Sequence, residues 1–219
     1  DSLPELPFRL NRLECNKNQL NQLPELPTNL KYLQCDSNSI TNLPILHVGL
    51  EYLLCSGNGL AALPALLPAS LIDLSCNGNL LTSLPTLPAG LNVLNCGDNY
   101  IDSLPALPAQ LWALDCRKNQ LRTLPLLPNS LNNLHCEYNM LNTIPELPYL
   151  MSGLNVSYNP ITCLPPLNCY FFDWIVIDST LLTCLPNYPH TSGWHLSNLP
   201  ILPICDIFNP NNCSVQWNI

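Results

Sequence analysis

The chain has 219 residues, a formal net charge of −8 and only seven lysines plus arginines. That balance argues against nucleic acid or an anionic membrane as ligand, since both need clustered cations. Proline at 23 residues would ordinarily signal disorder, but here it is strictly periodic in a chain that is 47% hydrophobic, which excludes a low-complexity reading.

From Leu3 to about Leu182 the sequence repeats the unit LPxLPxxLxxLxCxxNxLxx, as in Leu23 to Asn42. Cysteine recurs at Cys15, Cys35, Cys55, Cys76, Cys96, Cys116 and Cys136. Asparagine recurs at Asn18, Asn38, Asn58, Asn79, Asn99, Asn119, Asn139 and Asn159. The step is 20 residues, with one of 21 where LPALLPASL adds a residue. A fixed period of this length predicts a solenoid of stacked rungs, each unable to close a core alone.

Within each rung, Leu33 and Cys35 alternate with Tyr32, Gln34 and Asp36, the period of a strand with one buried face. About nine short parallel strands are therefore expected. The cysteines then act as small core residues, and the asparagines turn inward to satisfy loop backbone that water cannot reach. The LPxLP segment carries prolines that fix φ and remove donors, so the opposite side is expected to be extended or polyproline-like with little or no helix. Its leucines should face in and its prolines out. After Cys136 the cysteine position is filled by Val156 and Ile177, and Thr180 replaces the asparagine, as in degenerate terminal rungs. The expected organisation is a solenoid over 1–185 and a capping segment over 186–219.

The remaining cysteines, Cys163, Cys169, Cys184, Cys205 and Cys213, all fall in the last third. Cys205 and Cys213 bracket DIFNPNN, and a bridge closing that loop would contribute roughly 2–3 kcal/mol in the chain-entropy model. Cys163 and Cys184 hold equivalent places in ITCLP and LTCLP, either as ladder neighbours or as a second bridge, which leaves Cys169 over. This usage points to an exported, disulfide-permissive setting. No apolar run reaches the length of a membrane span, and no signal sequence opens the chain, which begins at Asp1 inside a repeat; a processed protein or excised domain is expected.

The LPxLPxxLxxLxCxxNxL rung resembles the bacterial leucine-rich repeat proteins. It is similar to type III effectors of the Yersinia outer protein M and IpaH kind, which share LPxLPxxLxxL. It resembles more closely the secreted or surface-attached repeat proteins of Bacteroidetes, which favour cysteine in the strand and end in segments like CLPPLNC and CDIFNPNNC. IpaH-like effectors differ in having an aliphatic residue at the cysteine position and flanking helical parts. The resemblance implies the horseshoe fold, with a parallel sheet on its concave side, and a protein-binding role.

Nothing in the sequence matches a phosphate loop, a nucleophile elbow or a metalloprotease motif, so no catalysis, cofactor or metal is expected. His47 replaces a proline and is expected outside without a role. His135 precedes an inward Cys136, so the two cannot form a nucleophilic pair. His190 and His195 lack a nearby cysteine pair. Asp98, Asp102 and Asp206 follow no calcium-loop pattern and are read as solvated. The candidate binding residues are the variable outward positions that carry aromatic or charged groups: Tyr32, Tyr52, Trp112, Asp115, His135, Glu137, Tyr138, Tyr158 and Trp174. Exposed Tyr and Trp suit protein hot spots and also sugar stacking. Trp174, beside Phe171 and Phe172, could equally cover the end of the core. The expected function is a protein-binding domain of an exported bacterial protein, with a basic partner favoured by Asp36, Glu51, Asp73, Asp115, Glu137 and Asp178. Alternatives are a carbohydrate-binding or spacer module of a surface adhesin, or the substrate-recognition domain of an effector.

Overall fold

The computed structural model describes residues 3–167 and 173–183. Nine three-residue strands form one parallel sheet in sequence order: β1 (Arg12–Glu14), β2 (Tyr32–Gln34), β3 (Tyr52–Leu54), β4 (Asp73–Ser75), β5 (Val93–Asn95), β6 (Ala113–Asp115), β7 (Asn133–His135), β8 (Gly153–Asn155) and β9 (Trp174–Val176). No helix occurs among the described residues. The register follows from the period, because each step returns the same motif position beside its predecessor. Two steps are of 21 residues, and the sheet stays in register across both, Tyr52 pairing with Asp73 and Gly153 with Trp174.

The central residue of each strand faces inward, and Leu33, Leu53, Leu74, Leu94 and Leu134 are fully buried. The cysteine that follows enters the same core: Cys35, Cys55, Cys76, Cys96, Cys116 and Cys136 are wholly inaccessible. All seven ladder cysteines are free thiols. Burial pushes these thiols up, Cys35 to about 12 and Cys55, Cys76 and Cys116 well above the ordinary value. Since the thiolate is the nucleophile, iodoacetamide at pH 8 should leave Cys35 to Cys136 unmodified in the native chain and label them all in denaturant. Mass spectrometry of the two reactions checks this, and native labelling of the ladder would contradict the inward column.

Each asparagine ties two rungs together. The Nδ2 of Asn58 donates to the carbonyls of Cys35 and Cys55, both at 3.1 Å, while its Oδ1 accepts from the amide of Ile40 at 3.0 Å. Asn38, Asn79, Asn99, Asn119, Asn139 and Asn159 repeat the arrangement, and Thr180 Oγ1 donates to Ile177 O in the last rung. Asn18 departs from the expected inward ladder. It is exposed and serves only its own rung, through Cys15 O and Asn16 O, because no described rung lies beneath it.

One residue per rung, just before the asparagine, adopts a left-handed conformation, with φ between 49° at Lys118 and 64° at Gly57. Glycine takes this position only at Gly57 and Gly78; elsewhere it is Lys17, Ser37, Asp98, Lys118, Tyr138, Tyr158 or Ser179. The expected outward placement of the prolines needs correction. Pro68, Pro88, Pro108 and Pro148 are buried, because the second proline of LPxLP opens a turn that redirects the chain into the next strand. Its carbonyl accepts from the amide three residues on, as from Leu91 N to Pro88 O at 3.1 Å. His47 takes over that turn through Leu50 N to His47 O. It is half-buried, with its Nε2 2.8 Å from Leu26 O, so it is a structural residue and not an idle surface one.

Candidate functional site

The first and third residues of every strand point away from the core, which makes the outward sheet face a grid of two columns. Rungs six to nine bring together the charged and aromatic part of that grid. Asp115 ends β6 and His135 ends β7; Arg117 and Glu137 follow two residues later on the same side, where the strand alternation continues into the loop.

Arg117 bridges the two carboxylates, with Nε 3.5 Å from Asp115 Oδ2 and one terminal nitrogen 3.8 Å from Glu137 Oε1. His135 Nδ1 stands 3.8 Å from Glu137 Oε2, and both atoms are buried without a hydrogen-bond partner. Glu137, expected on the surface, is only 7% exposed. A carboxylate so covered is retained as an ion only when opposite charge faces it. Burial works to raise Glu137, but His135, a backbone amide and Arg117 outweigh it and hold the group below its ordinary range. Facing Glu137 raises His135 against the opposing effect of burial, with Asp115 adding to the rise. Asp115 is itself raised by burial, which Arg117 and His135 only partly offset.

These directions fix a pH dependence. A raised His135 contributes stability that is complete below its unfolded value of 6.5 and is lost as pH rises through the higher folded value. A lowered Glu137 contributes stability present above 4.5 and lost as pH falls through its folded value. The pair therefore stabilises most between those limits. The melting-temperature difference between the native chain and His135→Gln should be largest from pH 4.5 to 6.5 and shrink toward pH 8. A difference independent of pH would contradict the pairing.

Trp174, the first residue of β9, reaches back across rung eight. Its indole packs at a tilt against His135 of rung seven, centroids 5.0 Å apart at 37°. Gly153 makes this possible, since a Cβ there would lie 2.3 Å from Trp174 Cζ2 and 2.5 Å from Asn133 Oδ1. Trp174 is thus half-buried as a wall over the charged cluster. Phe171 and Phe172, expected beside it, lie outside the described residues.

Tyr138 and Tyr158 stand at the edge of the sheet, one residue past Glu137 and Ser157. Their rings stack in parallel, 4.1 Å apart at 8°, and remain 46% and 47% exposed. Both occupy the left-handed position, where a side chain costs on the order of 1 kcal/mol relative to glycine. Tyr32 and Tyr52 form a separate pair at the other end of the sheet, centroids 5.6 Å apart, with the Arg12 guanidinium 3.6 Å over the Tyr32 ring and its Nε donating to Glu14 Oε1 at 2.6 Å. Trp112 is exposed at the entrance to β6, and its carbonyl accepts from Asn132 and Asn133.

The structure therefore unites Asp115, His135, Glu137 and Trp174, sets Tyr138 and Tyr158 beside them, and leaves Tyr32, Tyr52 and Trp112 apart. Sequence reasoning missed Arg117 and Gly153. The spacing of Arg117, two after Asp115, and a lone glycine between Asn133 and Trp174 in one column were the available signals. Away from the strands, a cavity of about 530 Å³ lies between the first two LPxLP segments, lined by Glu5, Phe8, Glu25 and Pro27 among others. Among the described residues no cluster of histidine, cysteine and carboxylates could hold a metal, and no helix is long and apolar enough to cross a membrane. Cys169, Cys184, Cys205, Cys213, His190, His195 and Asp206 lie outside the described residues.

No family model and no curated protein matches the chain. Among solved structures it is similar to YopM from Yersinia enterocolitica WA-314, at 39% identity and TM-score 0.84, over 92% of this chain and 46% of that one. It is similar to a Shigella effector LRR domain at 33% identity and TM-score 0.64, over 70% of this chain and 71% of that one. A third likeness is to the functional domain of InlJ from Listeria monocytogenes, which includes a cysteine ladder. There the identity is 28% and the TM-score 0.71, over 80% of this chain and 41% of that one. The chain spans about half the length of the YopM and InlJ structures.

Proposed function

This chain belongs to the bacterial leucine-rich repeat proteins, and from that membership we propose that it is a non-catalytic protein-binding domain acting through the outward face of its sheet. The observation that carries this reading is the contrast between the two sets of strand positions. Packing holds the inner columns to leucine and cysteine, while the outward columns gather Asp115, His135, Glu137 and Trp174 into one preorganised patch. Charged and aromatic groups already locked by their neighbours lose little freedom on binding, which is what an interface anchor requires. The carboxylate excess of the chain favours a partner of basic character.

Export to the cell surface or beyond is part of the proposal, supported by similarity to the Shigella effector LRR domain. So is a solenoid unit reaching about residue 185 with a stapled cap over 186–219. Cys163 is disulfide-bonded, and a Cys205 to Cys213 bridge is the proposed closure of the cap. The nearer kinship to Bacteroidetes surface proteins stays a proposal carried by the cysteine-bearing rungs alone.

The test is photocrosslinking from defined positions. A benzoylphenylalanine at Asn155, on the outward face of β8, should capture a discrete protein partner from the native surroundings, whereas the same group at Leu126, 88% exposed on the LPxLP side, should not. Capture from Leu126 alone would overturn the reading.

A further inference from the structure

Resting on the protein-binding reading, we propose that the Tyr138–Tyr158 stack is an arginine-binding slot, in which a partner's guanidinium continues the stack over Ser179. Rungs seven and eight each place a tyrosine at the left-handed position, and the two rings lie in parallel at 4.1 Å. Rung nine fills the same position with Ser179, whose φ of 53° matches 54° at Tyr158. The column therefore keeps its backbone geometry but lacks a third ring. With Tyr138 covering one face of Tyr158 and a small residue following on the other side, a flat group one rung further along would complete the pile. Parallel strands repeat at about 4.8 Å, within the roughly 4.5–7 Å centroid separation at which offset planar groups pair.

The chemistry of the occupant follows from what surrounds the slot. Asp178, whose carbonyl accepts from the Tyr158 amide, precedes Ser179 and brings a carboxylate to the open end of the stack, whereas Glu137 at the other end is already paired with Arg117 and His135. The nearest lysine in the column, Lys118, is turned to Asp98, with Nζ 3.1 Å from Oδ1. A planar cation fits such a place better than an anion or a neutral ring, because it gains from both the aromatic face and the carboxylate. The same molecule already contains this combination at its other end. There Arg12 lies 3.6 Å over the Tyr32 ring while Glu14, two residues on, holds its Nε. The Tyr158 slot repeats the aromatic and acidic halves of that arrangement without an arginine of its own.

The experiment is an NMR titration of the full chain with capped Gly-Arg-Gly, capped Gly-Lys-Gly, and a panel of free pyranoses. The arginine peptide should shift the Tyr158 ring and Ser179 amide signals saturably, at least threefold more tightly than the lysine peptide. The effect should vanish in Tyr158→Ala and in Ser179→Tyr, which fills the slot with a residue that this backbone position accepts two rungs running. Shifts at Tyr158 from a pyranose but not from the arginine peptide would overturn the proposal in favour of a glycan site, and no shift from any probe would overturn it outright. If Ser179→Tyr leaves crosslinking from Asn155 intact and the peptides are silent, the slot is wrong while sheet-face binding stands. If crosslinking fails in the native chain but the arginine peptide binds, the slot stands and the broader reading falls.

Discussion

Asn99→Leu is expected to destabilise the chain by about 4 kcal/mol, on the scale of roughly 1–3 kcal/mol for each buried polar group left without a partner. Leucine keeps the branching and the number of side-chain heavy atoms of asparagine, so the lost hydrogen bonds are the main change. What disappears is a junction. Asn99 Nδ2 donates to Cys76 O, Cys96 O and Gly97 O at 3.1, 3.1 and 2.9 Å, and its Oδ1 accepts from Leu81 N at 3.0 Å. Those four backbone groups belong to two successive rungs, so the change orphans both sides of one interface in a one-dimensional stack. Asn18→Leu provides the control. Asn18 is exposed and serves only its own rung, so its loss should cost about 1 kcal/mol, the worth of an ordinary hydrogen bond. Urea unfolding of both variants measures the contrast. Equal, small losses would mean that the asparagine column is not what joins the rungs.

Gly153→Ala is expected to disable the charged patch while leaving the sheet intact. The added Cβ would stand 2.3 Å from Trp174 Cζ2 and 2.5 Å from Asn133 Oδ1, so the indole must lift off rung eight. With it goes the ring contact on His135. An overpacked contact of this kind costs about 1–3 kcal/mol, and most of that should be recovered when Trp174→Ala is added, because the contact that remains, with Asn133 Oδ1, is with the end of a side chain that can turn away. The two substitutions should therefore be strongly non-additive, with a coupling of about 1–2 kcal/mol in a double-mutant cycle. Partner binding should fall at least tenfold in Gly153→Ala and not recover in the double variant, since the stability is restored but the wall over His135 is not. Additive losses would show that Trp174 does not lie on Gly153.

The architecture was legible because a solenoid writes its geometry into its period. Leu33, Cys35 and Asn38 recur with invariant spacing, and each recurrence faces the same environment, so strand, inward column and register follow from one rung. Extra residues, as in Leu63 to Leu71, went to the return path because the ladder cannot accept a slip without turning every side chain to the other face. The candidate site was legible only in outline. Columns placed Asp115, His135 and Trp174 on the outward face, and adjacency placed Tyr138 beside Tyr158. What the columns could not show is how side chains cross rungs. Trp174 touches His135 two rungs away only because Gly153 leaves space, and Glu137 is buried only because Arg117 and His135 close over it. The prolines were misjudged for a related reason. Their fixed φ was recognised, but the turn from Pro88 to Leu91 that draws the second ring inward depends on where the next strand begins.

The most direct measurement is the hydrogen-exchange footprint of the chain on its captured partner. Slowed exchange should be concentrated on the outward side of rungs six to nine, at the amides of Asp115 to Lys118, Asn133 to Tyr138, Asn155 to Tyr158 and Trp174 to Ser179, with the LPxLP segments unchanged. Protection confined to the proline-bearing side, with the sheet edge around Glu137 and Tyr158 exchanging as in the free protein, would contradict the account.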